Sequence, residues 1–187
     1  RILTPEDYGL FGMAAVVIAF LHTFADAGLG LATIQKKELS EQQVHNLFWV
    51  NLTLGIVLCL VTMASAPLVA DFFKREELSG LLTVLAIGFV FGGIAVQPAA
   101  LLRRAIRTQK IVLIDVVSEG LGYVVAILMA VNGAGFWALA GHSLASTGLR
   151  TILLLHGARY RPRSPARGVG TLNLVQFGGY VGAFAIV

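Results

Sequence analysis

Long apolar runs separated by short polar loops restrict the fold of this sequence more than any other feature. Five runs are complete, and a sixth is cut off by the end of the sequence at Val187. Hydrophobic residues make up 57% of the 187 residues and charged residues 13%, whereas a soluble domain carries about a quarter charged residues. This composition leaves too little polar surface for a water-exposed protein, and we infer that a lipid bilayer covers the apolar surface.

The length of the runs predicts helices that cross a membrane. About 20 apolar residues in a helix span the hydrocarbon core of a bilayer, and the runs lack the short alternating pattern of barrel strands. We therefore predict an all-α, polytopic transmembrane helix bundle, with five full spans plus a truncated sixth. No loop is long enough for a soluble domain, so residues 1–187 form one transmembrane domain. The predicted spans are about 8–31, 46–69, 78–102, 111–131, 136–155 and 172–187.

The Lys and Arg residues of the loops predict the orientation of the bundle. Loops 35–43, 103–110 and 159–167 contain ten basic residues, while the three loops that alternate with them contain three. Since cytoplasmic loops carry an excess of Lys and Arg, the first set is expected in the cytoplasm and the Arg1 end outside. A nucleic-acid role for these residues is the weaker interpretation, because anionic lipid at the membrane edge already accounts for them.

The two ends of the sequence predict that the chain is part of a longer protein. It begins without Met in a loop where Thr4 suits a helix N-cap, Pro5 the first helical position, and Glu6 and Asp7 the positive end of the helix dipole. We expect a further helix before this point and more chain after Val187. The small-residue pairs Gly88/Gly92, Gly178/Gly182 and Ser118/Gly122 are predicted to pack helices within the bundle.

Charged residues inside the spans are the first candidates for a functional site. An ionisable side chain at the bilayer centre costs at least about 2.5–3.5 kcal/mol on insertion scales, so it is retained for a reason. Counted from the nearest cytoplasmic charges, Glu119 and Arg150 lie at much the same depth near the middle of the membrane. We predict that these two side chains form an ion pair between neighbouring spans.

Four further candidates are polar residues spaced along the predicted spans. Asp115 lies four residues before Glu119, and His22 lies four residues before Asp26, so each pair shares a helix face. Such pairs suit either a proton or cation site or plain salt bridging, and the sequence leaves both open. Gln97 precedes Pro98, which is predicted to break the third span. No Cys/His spacing typical of a metal site is present, so we predict no metal and no cofactor apart from a possible coupling ion.

Short motifs resemble those of a known family. The segment LTPEDYGLFGMA at residues 3–14, the segment DAGLG at 26–30 and the segment PAALLRR at 98–104 are similar to polysaccharide exporters of the O-antigen and colanic-acid flippase type. These exporters belong to the multidrug/oligosaccharidyl-lipid/polysaccharide superfamily. The opening motif is the most specific of the three, and hydropathy and loop charge extend the resemblance over the whole chain.

The resemblance implies a two-lobed transporter, of which this chain would be most of one six-helix lobe. Such proteins move undecaprenyl-pyrophosphate-linked oligosaccharides across the bacterial inner membrane by alternating access, driven by an H⁺ or Na⁺ gradient. The implied partners are the lipid bilayer, the lipid-linked oligosaccharide and a second lobe of the same polypeptide. Arg150 would contribute to a cationic cavity that binds the pyrophosphate.

Two other functions stay open at this stage. An ion-coupled multidrug exporter of the same superfamily would favour acidic cavity residues, which Asp26, Asp115 and Glu119 fit. An integral-membrane glycosyltransferase or acyltransferase would need catalytic acids or histidines at a membrane face, usually in a substantial loop. The loops here are short and lack such a cluster, so we predict that the protein is not an enzyme.

Overall fold

The architecture is a bundle of helices. The computed structural model describes residues 3–25, 33 and 40–165, and within these residues every regular element is helical, which confirms the all-α class. The elements are α1 (Pro5–Ala25), α2 (Glu41–Phe73), α3 (Glu77–Arg104), α4 (Thr108–Val131) and α5 (Trp137–Gly157). Residues 166–187, which include the sixth predicted span and the Gly178/Gly182 pair, lie outside the described part of the chain.

Three of these helices are long and apolar enough to cross a membrane. They are α2, α3 and α4, with 33, 28 and 24 residues. The predicted total of five full spans and a truncated sixth therefore stays a prediction, as do the boundaries of the single domain. The confirmed part is that the chain is helical and carries several helices of membrane-spanning length.

The third helix holds the bundle together. Helices α2 and α3 form one closely packed pair and α4 and α5 another, while α3 also contacts α5, α1 and α4. Leu78, Leu81 and Leu82 of α3 are fully buried against Ala14 of α1 and Ala140 of α5. Because one helix contacts all the others, changes at its surface affect the whole bundle.

Helices α2 and α3 approach each other very closely at two glycines. A Cβ atom at Gly93 would lie 2.6 Å from the carbonyl oxygen of Asn51, and one at Gly55 would lie 2.5 Å from that of Phe89. Only glycine permits this contact.

The predicted role of Gly88/Gly92 is wrong for the described residues, because a Cβ atom at either would meet nothing within 4 Å. The spacing of the glycines predicted a close helix contact on α3. The rotation of α3 about its own axis places Gly93, rather than Gly92, against α2.

The predicted break at Gln97-Pro98 is also wrong. Helix α3 runs through Pro98 without interruption and ends at Arg104. Proline removes one backbone donor, which leaves the carbonyl oxygen of Ile94 without its helical partner. Pro98 and its neighbours from Gln97 to Ala100 are buried, and packing on all sides keeps the helix continuous.

The opening motif fastens three chain segments at one end of the bundle. Asp7 accepts hydrogen bonds from the backbone and hydroxyl of Thr4, both at 2.8 Å, while the Thr4 hydroxyl accepts from the Asp7 backbone at 3.3 Å. This is a reciprocal cap of α1. Glu6 forms an ion pair with Arg75 in the α2–α3 turn at 2.8 Å. The Asp7 carboxylate also reaches the α4–α5 turn, where it would lie 3.0 Å from a Cβ atom at Gly135.

The opposite end is fastened by the residues that follow α5. The Tyr160 hydroxyl lies 3.0 Å from Nδ1 of His45, and the indole of Trp49 donates to the Arg163 carbonyl oxygen at 2.8 Å. Burial raises the pKa of Tyr160 to about 12, so its hydroxyl keeps its proton. The contacts at the two ends agree with the predicted alternation of the loops.

We predict opposite effects for two adjacent glycines of α3. Gly93→Ala is expected to lower the free energy of unfolding by about 1–3 kcal/mol, because the new methyl group forces α2 and α3 apart. Gly92→Ala is the matched control and should leave stability unchanged or raise it by up to about 1 kcal/mol, because alanine favours helix. Denaturant titration of the purified protein measures both. Equal losses at the two positions would contradict the assigned contact.

The cap of α1 predicts a pH-dependent contribution to stability. Hydrogen bonds from the backbone and side chain of Thr4, with a smaller contribution from the backbone of Phe136, hold the pKa of Asp7 below its ordinary value of 3.8. A lowered pKa in the folded state means that stabilisation is complete above pH 3.8 and is lost as the pH falls through the folded pKa.

Asp7→Asn should therefore lower the melting temperature at neutral pH, and the difference from the unmodified protein should shrink progressively as the pH falls below about 4. Glu76→Gln, at an exposed position of the α2–α3 turn, is the control. A melting difference that does not change with pH would show that the Asp7 carboxylate is not the group responsible.

Candidate functional site

Small side chains bring α4 and α5 together. Ser118 and Gly122 of α4 are buried, and a Cβ atom at Gly122 would lie 2.9 Å from Cβ of Ser146 on α5. The predicted small-residue pair Ser118/Gly122 therefore lies in a helix contact within the bundle. This close approach allows the polar side chains beside it to meet across the two helices.

A polar seam runs along one side of this contact. Each helix contributes three polar residues spaced four apart, which places them on one face. The helices are antiparallel, so the two columns face each other in opposite order. We call this set of six residues the polar seam: Asp115, Glu119 and Tyr123 on α4, and His142, Ser146 and Arg150 on α5.

Arg150 pairs with Asp115 rather than with Glu119. Its Nε donates to Oδ1 of Asp115 at 2.8 Å, so the predicted Arg150–Glu119 pair is wrong. The error came from counting depth from charged loop residues. From the helix ends, Asp115 lies seven residues beyond Thr108 (115 − 108) and Arg150 seven before Gly157 (157 − 150). The two side chains are therefore level.

Glu119 has a different partner. Its Oε2 lies 3.2 Å from Nε2 of His142, which is within ion-pair distance, although this nitrogen has no hydrogen bond of good geometry among the described residues. The ring of Tyr123 lies against the imidazole, with 4.3 Å between ring centres. Each carboxylate of the seam thus has its own basic partner, and the two acids do not share one cation between them.

Arg150 retains hydrogen-bonding capacity beyond its ion pair. Only Nε contacts Asp115, and the Nη groups make no hydrogen bond with the part of the chain that the structure describes. The Arg150 side chain is 35% exposed, and that of Asp115 is 44% exposed. When a guanidinium is held through Nε alone, its two Nη groups remain in a fixed planar arrangement. This arrangement matches the oxygens of a phosphate.

Two other predicted site residues, His22 and Gln97, lie outside this seam. His22 is exposed on α1 and its ring lies against Phe89 of α3, with 4.8 Å between ring centres. Asp26 lies outside the described residues, so its predicted pairing with His22 stays a prediction. Gln97 is fully buried in α3, where Oε1 accepts from the Thr33 hydroxyl at 3.1 Å. No group of three metal-binding side chains occurs in the residues described.

Sequence reasoning missed His142 and Tyr123. His142 lies eight residues before Arg150, and Tyr123 lies eight after Asp115, so both continue the same four-residue spacing. Extending that spacing along each helix from its charged residue would have identified them. Both were missed because the search for a site started from the acidic side chains and the Arg inside the spans.

Three apolar helices of spanning length in the described part of the chain, one of which is joined to α5 by a charged pair, define this chain as a multi-pass membrane protein. A family model described as polysaccharide biosynthesis protein matches residues 1–187. The chain belongs to this family. It is a multi-pass inner-membrane protein, and the similarity to polysaccharide exporters predicted from the motifs is confirmed.

Curated relatives extend this assignment. The lipopolysaccharide biosynthesis protein WzxC of Escherichia coli K12 is 28% identical over the whole chain and 38% of its own length. The succinoglycan biosynthesis transport protein ExoT of Rhizobium meliloti is 32% identical over 87% of the chain and 33% of its own length. The teichuronic acid biosynthesis protein TuaB of Bacillus subtilis is 33% identical over 56% of the chain and 22% of its own length. The chain thus spans about a third of the first two relatives. No solved structure matches it.

The pairing in the seam predicts which charges are energetically coupled. A double-mutant cycle on Arg150→Ala and Asp115→Ala should give a coupling of about 0.6 kcal/mol, and at most about 1.7, as measured for polar pairs between membrane helices. The cycle of Arg150→Ala with Glu119→Ala is the matched control and should be additive within about 0.3–0.5 kcal/mol. Unfolding titrations supply both values, and the reverse ranking would restore the pairing expected from the sequence.

Proposed function

We propose that this chain is part of a membrane transporter that moves a lipid-linked polysaccharide precursor across the bacterial inner membrane. The observation that carries the proposal is the geometry of Arg150, whose guanidinium is held by Asp115 through Nε while its outer N–H groups stay available. A diphosphate-linked lipid needs such a cationic group within the membrane domain, while its lipid tail remains in the bilayer.

The family and the relatives support the substrate class. The relatives are named for biosynthesis of lipopolysaccharide, succinoglycan and teichuronic acid, and one of them is named as a transport protein. These polymers differ in their sugars. We therefore place recognition on what the carriers of different polysaccharides have in common, which is the phosphate-linked lipid rather than the sugar.

The proposed orientation follows from loop charge. Loops 35–43, 103–110 and 159–167 face the cytoplasm, and the opening motif with the α2–α3 and α4–α5 turns faces outside. Asp115 and Arg150 then lie about 10 Å from the cytoplasmic ends of their helices, at 1.5 Å per residue. A headgroup that enters from the cytoplasmic leaflet meets this pair first.

The proposed mechanism is alternating access with a second lobe of the same polypeptide. The relatives are about three times as long as this chain, which leaves room for that lobe. A proton or Na⁺ gradient would drive the cycle. Glu119 and His142 are the residues of the seam that we assign to a coupling ion, because their contact is the one without good hydrogen-bond geometry.

The pairing in the seam disfavours the multidrug-cation alternative. Such an exporter needs carboxylates that are open to a cationic substrate, whereas Asp115 is engaged by Arg150 and Glu119 lies beside His142. The relatives are also named for biosynthesis of polysaccharides rather than for drug export or group transfer. Transport of an anionic headgroup is therefore the function that the geometry supports best.

We predict that the shape of the Arg150 guanidinium matters for transport, beyond its charge. Arg150→Lys in the full-length protein should keep the ion pair with Asp115 but lose the fork that suits a phosphate. Transport is expected to fall at least about tenfold, as for loss of a charge-assisted hydrogen bond, while the melting temperature changes little. The rate is measured as polymer export in cells that lack their own exporter.

Arg107→Lys, in a cytoplasmic loop, is the matched control and should transport normally. Exchanging the charges, with Asp115→Arg and Arg150→Asp together, should restore folding and part of the transport that each single change removes. Normal transport by Arg150→Lys would refute a phosphate-binding role for this side chain.

A further inference from the structure

One face of α2 forms an apolar groove near the end that carries Ser40. Its lining residues on α2 repeat at three- and four-residue intervals, so they share one helix face, and the groove encloses about 540 Å³. The lining consists of Asn46, Trp49, Val50, Thr53, Leu54 and Val57, with Pro165 at one side. Nearly all of the exposed surface in the groove belongs to carbon atoms of these side chains.

The segment 160–165, which follows α5, reaches the groove at Pro165. It is held against α2 by the hydrogen bond from the Trp49 indole to the Arg163 carbonyl oxygen and by the Tyr160–His45 contact. The backbone N–H of Arg163 also donates to Nδ1 of His45 at 3.4 Å. Arg163 takes part in these contacts through its backbone atoms alone, so they do not use its side chain.

Exposed basic residues lie in the segment that contributes Pro165 to the groove. Arg159, Arg161 and Arg163 are exposed. Arg163 has one acidic neighbour, Glu41, at 3.9 Å, and both side chains are largely exposed at 75% and 87%. Because this pair is weak, the three Arg side chains leave a net positive charge in the segment beside the apolar groove. The groove lies along α2, a helix long enough to cross the bilayer.

We propose that this groove binds one acyl chain of an anionic phospholipid of the bilayer, with the phosphate held by Arg161 and Arg163. An apolar groove on a membrane-spanning helix is filled by hydrocarbon rather than by water. Basic residues at the cytoplasmic edge attract anionic headgroups, and a Trp at the same level is typical of the membrane–water interface. The site is distinct from the polar seam, and it does not depend on the proposed transport function.

The two Trp residues of the chain allow a direct test. Trp49 lines the groove and is 38% exposed, while Trp137, at the other end of the bundle, is 37% exposed. Their equal exposure makes Trp137 a control for general contact with lipid. The protein is reconstituted in phosphatidylcholine vesicles that contain an equal mole fraction of brominated phosphatidylglycerol or brominated phosphatidylcholine, and tryptophan quenching is recorded. The signal of each Trp is obtained by subtracting the spectrum of its Phe variant.

We expect the brominated anionic lipid to quench Trp49 with a clearly higher relative binding constant than the brominated zwitterionic lipid. Trp137 should show no such preference. Arg161→Gln and Arg163→Gln together should remove the preference at Trp49, by about fivefold for each Arg. Arg103→Gln with Arg107→Gln removes the same charge from the neighbouring basic loop, and it should leave the preference intact.

Two results would overturn the proposal. Equal quenching of Trp49 by both lipids would mean that the groove contacts bulk lipid without selecting a headgroup. Absence of quenching by either lipid would mean that protein covers the groove, either another part of the polypeptide or a second copy of it. Melting curves of all variants verify that each one is folded before its quenching is interpreted.

Discussion

The absence of water from the bilayer core controls the arrangement of polar groups in this protein. A charged or hydrogen-bonding side chain that leaves water must find its partner within the bundle. Arg150 Nε donates to Asp115 at 2.8 Å across α4 and α5, and Thr151 of α5 donates to the carbonyl oxygen of Phe91 on α3 at 3.1 Å. These contacts need neighbouring helices to lie very close together. The small residues at the α4–α5 contact therefore make the polar seam possible.

The same requirement separates the two ends of the molecule from its middle. At the ends, water and lipid headgroups are available, and exposed pairs such as Glu6–Arg75 join loops. In the middle, the pairs lie between helices, and each carboxylate of the seam has a basic partner on the neighbouring helix. Arg150 is only partly engaged, because its Nε donates to Asp115 while its Nη groups make no hydrogen bond with the described residues. Its ion pair lowers the cost of keeping a guanidinium in the membrane without using up its hydrogen bonds.

The sequence predicted the helical fold well but predicted the contacts of the site less well. The span predicted at 111–131 corresponds to α4 at Thr108–Val131, and the predicted alternation of loops agrees with the contacts at each end. Apolar length and the distribution of Lys and Arg carry this information locally. The partner of Arg150 was predicted one helical turn away from its true position. If the starting residue of the depth count moves by four positions, the count selects Glu119 instead of Asp115, because the two residues lie on the same helix face.

The sequence by itself determined the all-helical class, the membrane environment, the family motif and the residues that had to be explained inside the membrane. These properties depend on composition and on spacing along a single helix. The tertiary structure alone decided that Gly93 rather than Gly92 touches α2, that His142 joins the seam, and that Asp115 holds Arg150. Such contacts depend on the rotation and register of each helix against its neighbour, which packing of side chains from distant parts of the chain sets.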